Sequence, residues 1–207
     1  MPYPSLMKIL VVGGYGTLGK KVAAHFGQTN NVIIAGRTKG DIIVDISDSA
    51  SIRKMFKSLG NLDAIICIAG EAKWASFNEL QEEDYYIGIK SKLMGQVNLA
   101  RIGKDYLNPN GSITLTTGIL ADDPVINTTS AAMVNGAIHS FVKAAALEME
   151  NGIRINAVSS GLVEDAIEKY NDYFPGHNPV PMKKVVNGYV KSLLGKGNGE
   201  IIRIYEH

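Results

Sequence analysis

The chain is poor in the residues that carry redox and metal chemistry, with one cysteine and four histidines among its 207 residues. The lone Cys67 excludes an intramolecular disulfide, and no Cys/His spacing resembles a metal-ligand set. A reducing compartment follows, and the cytoplasm is the expected location. Charge of one sign is also lacking. Lys and Arg total 21 against 20 Asp and Glu, so no strong field recommends nucleic acid or an anionic membrane as a partner. A run of about 18 apolar residues is absent, and the opening MPYPSLMKILVVGG has no basic region leading into a long apolar stretch. Neither a membrane span nor a signal peptide is therefore expected. Internal repeats, low-complexity tracts and linkers are missing too. The apolar content of 45% suffices for one substantial core, which favours a single domain over residues 1–207. A small molecule is the partner that this balance leaves.

What is present is alternation. Short runs rich in β-branched residues, at 8–12, 32–35, 42–44, 64–68, 112–116, 154–158 and 201–204, are separated by segments of helical period. The helical segments lie near 18–26, 49–59, 82–106, 130–150 and 181–194. This order predicts an α/β fold, a parallel sheet covered by helices on both faces. Several runs are apolar on both sides, as strands buried on both faces require. Too few residues separate the second run from the third for a crossover, which takes about a dozen or more. The third strand is therefore expected to be a short edge remnant without its helix.

The most informative stretch is VVGGYGTLGKKVA, where a strand runs into Gly13, Gly14, Gly16 and Gly19 and then into a helix. Gly13 permits a tight turn, Gly16 a close approach of backbone to a pyrophosphate, and Gly19 close packing of helix on strand; the helix N-terminus supplies free N–H donors. Tyr15 lies inside the loop, placed to contact or shield the pyrophosphate. The competing reading is an ordinary glycine-rich turn. A dinucleotide site also needs a residue at the end of the second strand to read the adenosine ribose. That place holds Arg37, followed by Thr38 and Lys39, which suit a 2'-phosphate better than a 2'-hydroxyl. NADP is expected over NAD, unless Arg37 and Lys39 are merely solvated loop charges. Asp45 in IIVDISD either holds the adenine edge or caps the following helix.

With the glycine loop, the strand ending in Gly36-Arg37, VDISD, DAIICIAG, GSITLTTG and NGAIHSFVKAAALEMENGIRINAVSSG in view, the chain resembles the short-chain dehydrogenase/reductase family over nearly all of residues 8–205. The resemblance implies a Rossmann-type doubly wound sheet of about seven strands, a homodimer or homotetramer, and hydride transfer between a nicotinamide and a small carbonyl or alcohol substrate. It adds Thr17, Leu18, Ile46, Ala69, Gly70, Gly161 and Val163 to the expected cofactor contacts. The small residues Ala131, Ala132, Gly136, Ala144 and Ala146 offer a face for close approach of a second copy.

The resemblance fails where the chemistry is done. The family's catalytic tyrosine and lysine fall at Ala131 and Asn135, its serine at Thr117, its helix asparagine at Lys92, and the proline of the loop after the sixth strand at Ser160. An alanine methyl carries no proton, so the usual acid/base is gone. Lys92 is a candidate replacement cation, and Thr117 with Asn135 a candidate pair to polarise a carbonyl; the plain alternatives are a solvated lysine and a neutral helix-face amide. Tyr170 and Tyr173, in the segment that closes over substrate in the family, are proton donors or anchors of that segment. His139 is expected at a subunit interface. Three functions remain open: an oxidoreductase with a rearranged site, a non-catalytic NADP(H)-binding sensor, and an isomerase or lyase reusing Lys92.

Overall fold

The run KILVV forms strand β1 (Lys8–Val12) because its side chains alternate between two apolar layers. Ile9 and Val11 join one core cluster, Leu10 and Val12 the other. In the computed structural model, which describes residues 6–206, the chain continues through α1 (Thr17–Phe26), β2 (Asn31–Gly36), β3 (Ile42–Ile43), α2 (Ser49–Leu59) and β4 (Leu62–Cys67). It then forms α3 (Glu82–Gly88), α4 (Met94–Gly103), β5 (Leu107–Gly118), α5 (Thr129–Ala146), β6 (Arg154–Ser160), the short α6 (Ile167–Tyr170), α7 (Met182–Leu194) and β7 (Ile201–Ile204).

The seven strands make one sheet in the order β3-β2-β1-β4-β5-β6-β7, every neighbouring pair parallel. Helices α2, α4 and α5 bury Ile52, Phe56, Leu99, Ile138 and Val142 on one face, and α1 and α7 bury Val22, Phe26, Val185 and Tyr189 on the other. The expected doubly wound architecture is present. Its strand order reverses between β1 and β4, the place where such sheets open a crevice beyond the strands' carboxyl ends.

The third strand is the expected remnant. Two residues pair with β2, Ala35 with Ile42 and Gly36 with Ile43. Asp41 closes the return: its carboxylate accepts from the Ile34 N–H at 2.8 Å, and its own N–H donates to the Ile34 carbonyl at 2.8 Å.

Two helices differ from expectation. The segment 82–106 is not one helix, because a π-turn at Ile89–Leu93 divides α3 from α4, and a 3-10 turn at Lys104–Tyr106 ends it. The segment 130–150 stops at Ala146. There Asn198 donates to the Ala146 carbonyl at 2.9 Å, satisfying a terminal acceptor that a further turn would have used. Among the described residues no helix is long and apolar enough to cross a membrane, and no cluster of His, Cys, Asp or Glu is placed to hold a metal ion.

Candidate functional site

The glycine loop is shaped by contacts that no side chain would survive. Gly13 has φ 86°, and a Cβ there would lie 2.8 Å from the Ile68 carbonyl oxygen. A Cβ on Gly19 would lie 2.1 Å from the Gly13 carbonyl oxygen, inside any allowed contact. Gly16 is different: its nearest atom would be the Gly13 oxygen at 3.5 Å, ordinary contact. The packing of the fold therefore requires Gly13 and Gly19 but not Gly16. Gly16 is also the N-cap of α1 and offers no side chain to its N–H groups, so the start of that helix keeps donors for an anion.

Beyond the loop, Gly13, Arg37, Asp45, Ile46, Ala69 and Gly70 line one pocket of about 280 Å³, together with Glu71 and Ser91. Six expected contacts thus meet in one place. Asp45 is not the helix cap; Asp48 is, its carboxylate accepting from the Ala50 N–H at 2.8 Å. Asp45 instead accepts from the Ser47 hydroxyl and N–H, which hold its carboxyl below the usual carboxylate range, with a smaller contribution from Arg37. Tyr15 and Thr38 stand outside this pocket's lining, and Tyr15 lies under Lys39, whose Nζ is 4.9 Å from the ring centre.

Glu71, which sequence reasoning missed, pairs with Arg37 at 3.3 Å. Its carboxylate occupies the guanidinium that a 2'-phosphate would need. Both side chains are largely exposed, so the pair is worth at most about 1 kcal/mol. Glu71→Gln is accordingly expected to tighten NADP binding by about two- to fivefold and to leave NAD binding unchanged, as read by titration calorimetry.

Lys92, Thr117 and Asn135 also come together, on the walls of a cleft of about 620 Å³ that shares Gly70 and Glu71 with the Arg37 pocket. Three elements deliver them: the π-turn, the end of β5, and α5. Gly70, at φ 116°, passes directly beneath Lys92, where a Cβ would lie 2.7 Å from the Lys92 Cα. No hydrogen bond or ion pair reaches the Lys92 ammonium among the described residues. Burial pushes its pKa below the usual lysine value, and the neighbouring Cys67 opposes this weakly. Ala131 and Asn135 are 4% and 5% exposed. Asn135 Oδ1 is buried without a partner, an arrangement that normally costs free energy. Gln96 braces the floor: it donates to the Thr116 carbonyl at 2.9 Å, accepts from the Thr116 N–H at 3.0 Å, and reaches the Ala69 carbonyl at 3.3 Å.

Tyr170 and Tyr173 line the same cleft while packing against Trp74, at centroid distances of 5.3 and 5.5 Å. They anchor the segment and face the cleft at once. Thr17, Leu18, Gly161 and Val163 line an adjoining space of about 280 Å³ that shares Trp74, Gly118, Leu120 and Tyr170 with the cleft. The three spaces form a continuous groove over the carboxyl ends of the strands.

His139 is not a surface residue awaiting a partner. It is 6% exposed and its Nε2 lies 2.8 Å from Thr117 Oγ1. The other histidines stand apart from the groove's chemistry: His25 packs edge-on against Phe26, His177 pairs with Asp123 at 3.6 Å, and His207 lies outside the described residues.

The glycine cradle and the strand order have a counterpart among known proteins. A family model described as enoyl-(acyl carrier protein) reductase matches residues 19–186. The chain belongs to the short-chain dehydrogenase/reductase family. Members of that family are NAD(P)-dependent oxidoreductases. Among solved structures, the protein lin1944 from Listeria innocua is 45% identical, with a TM-score of 0.94 over 96% of this chain and 100% of that one. A small-chain dehydrogenase in complex with NADPH is 27% identical, with a TM-score of 0.86 over 97% of both chains. General stress protein 39 of Bacillus subtilis is 30% identical over 127 residues, which are 59% of this chain and 43% of that protein. This match thus spans less than half the length of that curated relative.

Proposed function

We propose that this short-chain dehydrogenase/reductase uses NADP, in preference to NAD, to interconvert a small carbonyl and its alcohol through a non-standard active site. One observation carries the reading: among the described residues the Lys92 ammonium has no protein partner, and it lines, with the Thr117 hydroxyl and the Asn135 side chain, a cleft that shares Gly70 and Glu71 with the pocket beside Gly13. Groups left without protein partners are what a polar ligand would satisfy.

The cradle fits the cofactor by the test of its glycines. Gly13 and Gly19 leave no room for a Cβ, which holds the loop tight against the strand, and the exposed Gly16 leaves the start of α1 open to a ligand. The nicotinamide, when bound, supplies or accepts the hydride. The residues of this chain would do the rest. Arg37 would pair with the 2'-phosphate, as a guanidinium matches a phosphate through two N–H bonds. Thr117 would bind the substrate oxygen, the Asn135 amide would orient it, and the Lys92 ammonium would stabilise the negative charge that develops there. Trp74, Tyr170 and Tyr173 would cover the cleft and exclude water. A second copy of the chain would pack on the open faces of α4 and α5, where Arg101, Phe141 and Ala145 flank a groove.

A second reading, a sensor that binds NADP(H) without turning it over, is favoured by Ala131 alone. The test separates the two. Purified protein is expected to bind NADP about 10- to 100-fold more tightly than NAD, the yield of one or two charge-assisted hydrogen bonds, and to oxidise NADPH with at least one member of a carbonyl panel. Equal affinity for both nucleotides would remove Arg37 from its role. Binding without any NADPH consumption would leave the sensor.

A further inference from the structure

The tyrosine that would move the proton is replaced by alanine, yet proton transfer must accompany hydride transfer to a carbonyl. We infer that Thr117 and His139 form a proton-relay dyad, with Thr117 touching the substrate oxygen and His139 acting through it. The inference rests on the cleft being the carbonyl site proposed above.

The geometry is specific. Thr117 lies at the end of β5 and faces the cleft. Behind it, α5 places His139 one turn after Asn135 with its Nε2 on the Thr117 hydroxyl at 2.8 Å. The charged groups around His139 come from three elements: Asp122 from the turn after β5, Arg203 from β7 and Lys143 from α5 itself. Arg203 donates to Asp122 at 2.9 and 3.0 Å and the Tyr205 hydroxyl donates to it at 2.6 Å, so the carboxylate stays ionised down to about pH 2. Tyr205 in turn meets the Ser159 hydroxyl at 2.7 Å, on the strand paired with β5, which ties Asp122 to the same end of the sheet. A fixed negative charge near the ring is what a transient imidazolium needs.

The step balances. In alcohol oxidation the alcohol proton passes to Thr117 Oγ1 as the threonine's own proton passes to His139 Nε2. The C–H hydride leaves for the nicotinamide, the C=O bond forms, and the imidazolium later releases its proton to water. Reduction is the reverse and needs the imidazolium at the start. Burial, and to a lesser degree Arg203 and Lys143, lower the His139 pKa below the ordinary 6.5, with Asp122 opposing them. The ring is therefore neutral at neutral pH and ready to accept. Oxidation should rise, and reduction fall, as pH increases through a midpoint below 6.5.

Two measurements test the dyad. Imidazole nitrogen NMR on the ligand-free protein is expected to show His139 at neutral pH as the Nδ1–H tautomer, Nε2 unprotonated; the opposite tautomer would overturn the relay. In turnover, His139→Gln is expected to lower kcat about 100-fold, to leave NADPH affinity and KM near wild type, and to erase the ionisation from the pH profile. Thr117→Ser should retain activity and Thr117→Val should lose it. A folded His139→Gln or His139→Asn variant with wild-type kcat and pH profile would overturn the relay. Failure of the wild-type protein to bind NADPH would instead sink the functional reading, and the NMR result would still decide the dyad.

Discussion

Gly19→Ala is expected to destabilise the fold strongly, and Gly16→Ala to keep it while weakening cofactor binding. The alanine methyl at Gly19 would sit 2.1 Å from the Gly13 carbonyl oxygen and 2.8 Å from the Gly14 Cα. Both are backbone atoms of a loop held on β1 and β2 by the Gly13 N–H bond to the Ala35 carbonyl at 2.8 Å. Neither can swing aside as a side-chain end would, so α1 must move off the sheet, at a cost of about 3 kcal/mol or more. For a chain of this size that is a fall in Tm of roughly 6–12 °C. At Gly16 the backbone has φ −70° and ψ 171°, which any residue adopts. Alanine there narrows the unfolded ensemble but is a poorer N-cap than glycine, two effects of opposite sign, so Tm should change by no more than about 4 °C. The added methyl would nonetheless stand where the backbone meets a pyrophosphate, and NADP affinity should fall about 10- to 100-fold. Thermal unfolding and titration calorimetry on the two variants give the comparison. A Gly16→Ala variant with wild-type affinity would show that no phosphate comes near this loop.

The strands, and the helices that bury one stripe, were legible in the sequence because local pattern and tertiary role agree there. The KILVV run is apolar on both sides and is buried on both, and Ser49–Leu59 was expected over the same residues, although its cap is Asp48 and not Asp45. The break at Ile89–Leu93 was not legible, since IGIKSKLMG continues the helical period without a proline. Its cause is tertiary. A Cβ on Gly88 would lie 3.2 Å from Ala72 and Val134, and one on Gly95 would lie 2.9 Å from Ile46. Each glycine fixes its helix against a different partner, and the extra residue of the π-turn lets both contacts be made. His139 left a signal that went unused: Ala131, Asn135 and His139 follow one another at intervals of four on α5 and so share a face. Two of them belonged to the expected site, and the third was assigned outward on the habit of the family. Glu71 and Trp74 could not have been found, because the irregular segment between β4 and α3 carries no period, and only the folded chain sets their side chains beside Arg37 and Tyr170.

Lys92→Met is expected to make the protein more stable and nearly inactive. The lysine stem packs over Gly70, and methionine keeps that contact while removing an ammonium that burial disfavours. Cys67 offers no counter-anion, since burial pushes its thiol up to about 11 and leaves it neutral over the working range. The sign of the pH effect follows. A lysine whose folded pKa is depressed destabilises the fold while both states are protonated, below the folded pKa. Stability then climbs as pH rises through that value toward the unfolded 10.5. In the wild type, Tm should therefore gain an alkaline contribution that the Lys92→Met variant lacks, and the variant's Tm should be the higher at neutral pH. Turnover should fall about 100- to 1,000-fold in kcat/KM with NADPH affinity retained, the cost of one positioned charge at a developing alkoxide. A variant that is less stable and turns over normally would reduce Lys92 to a packing stem.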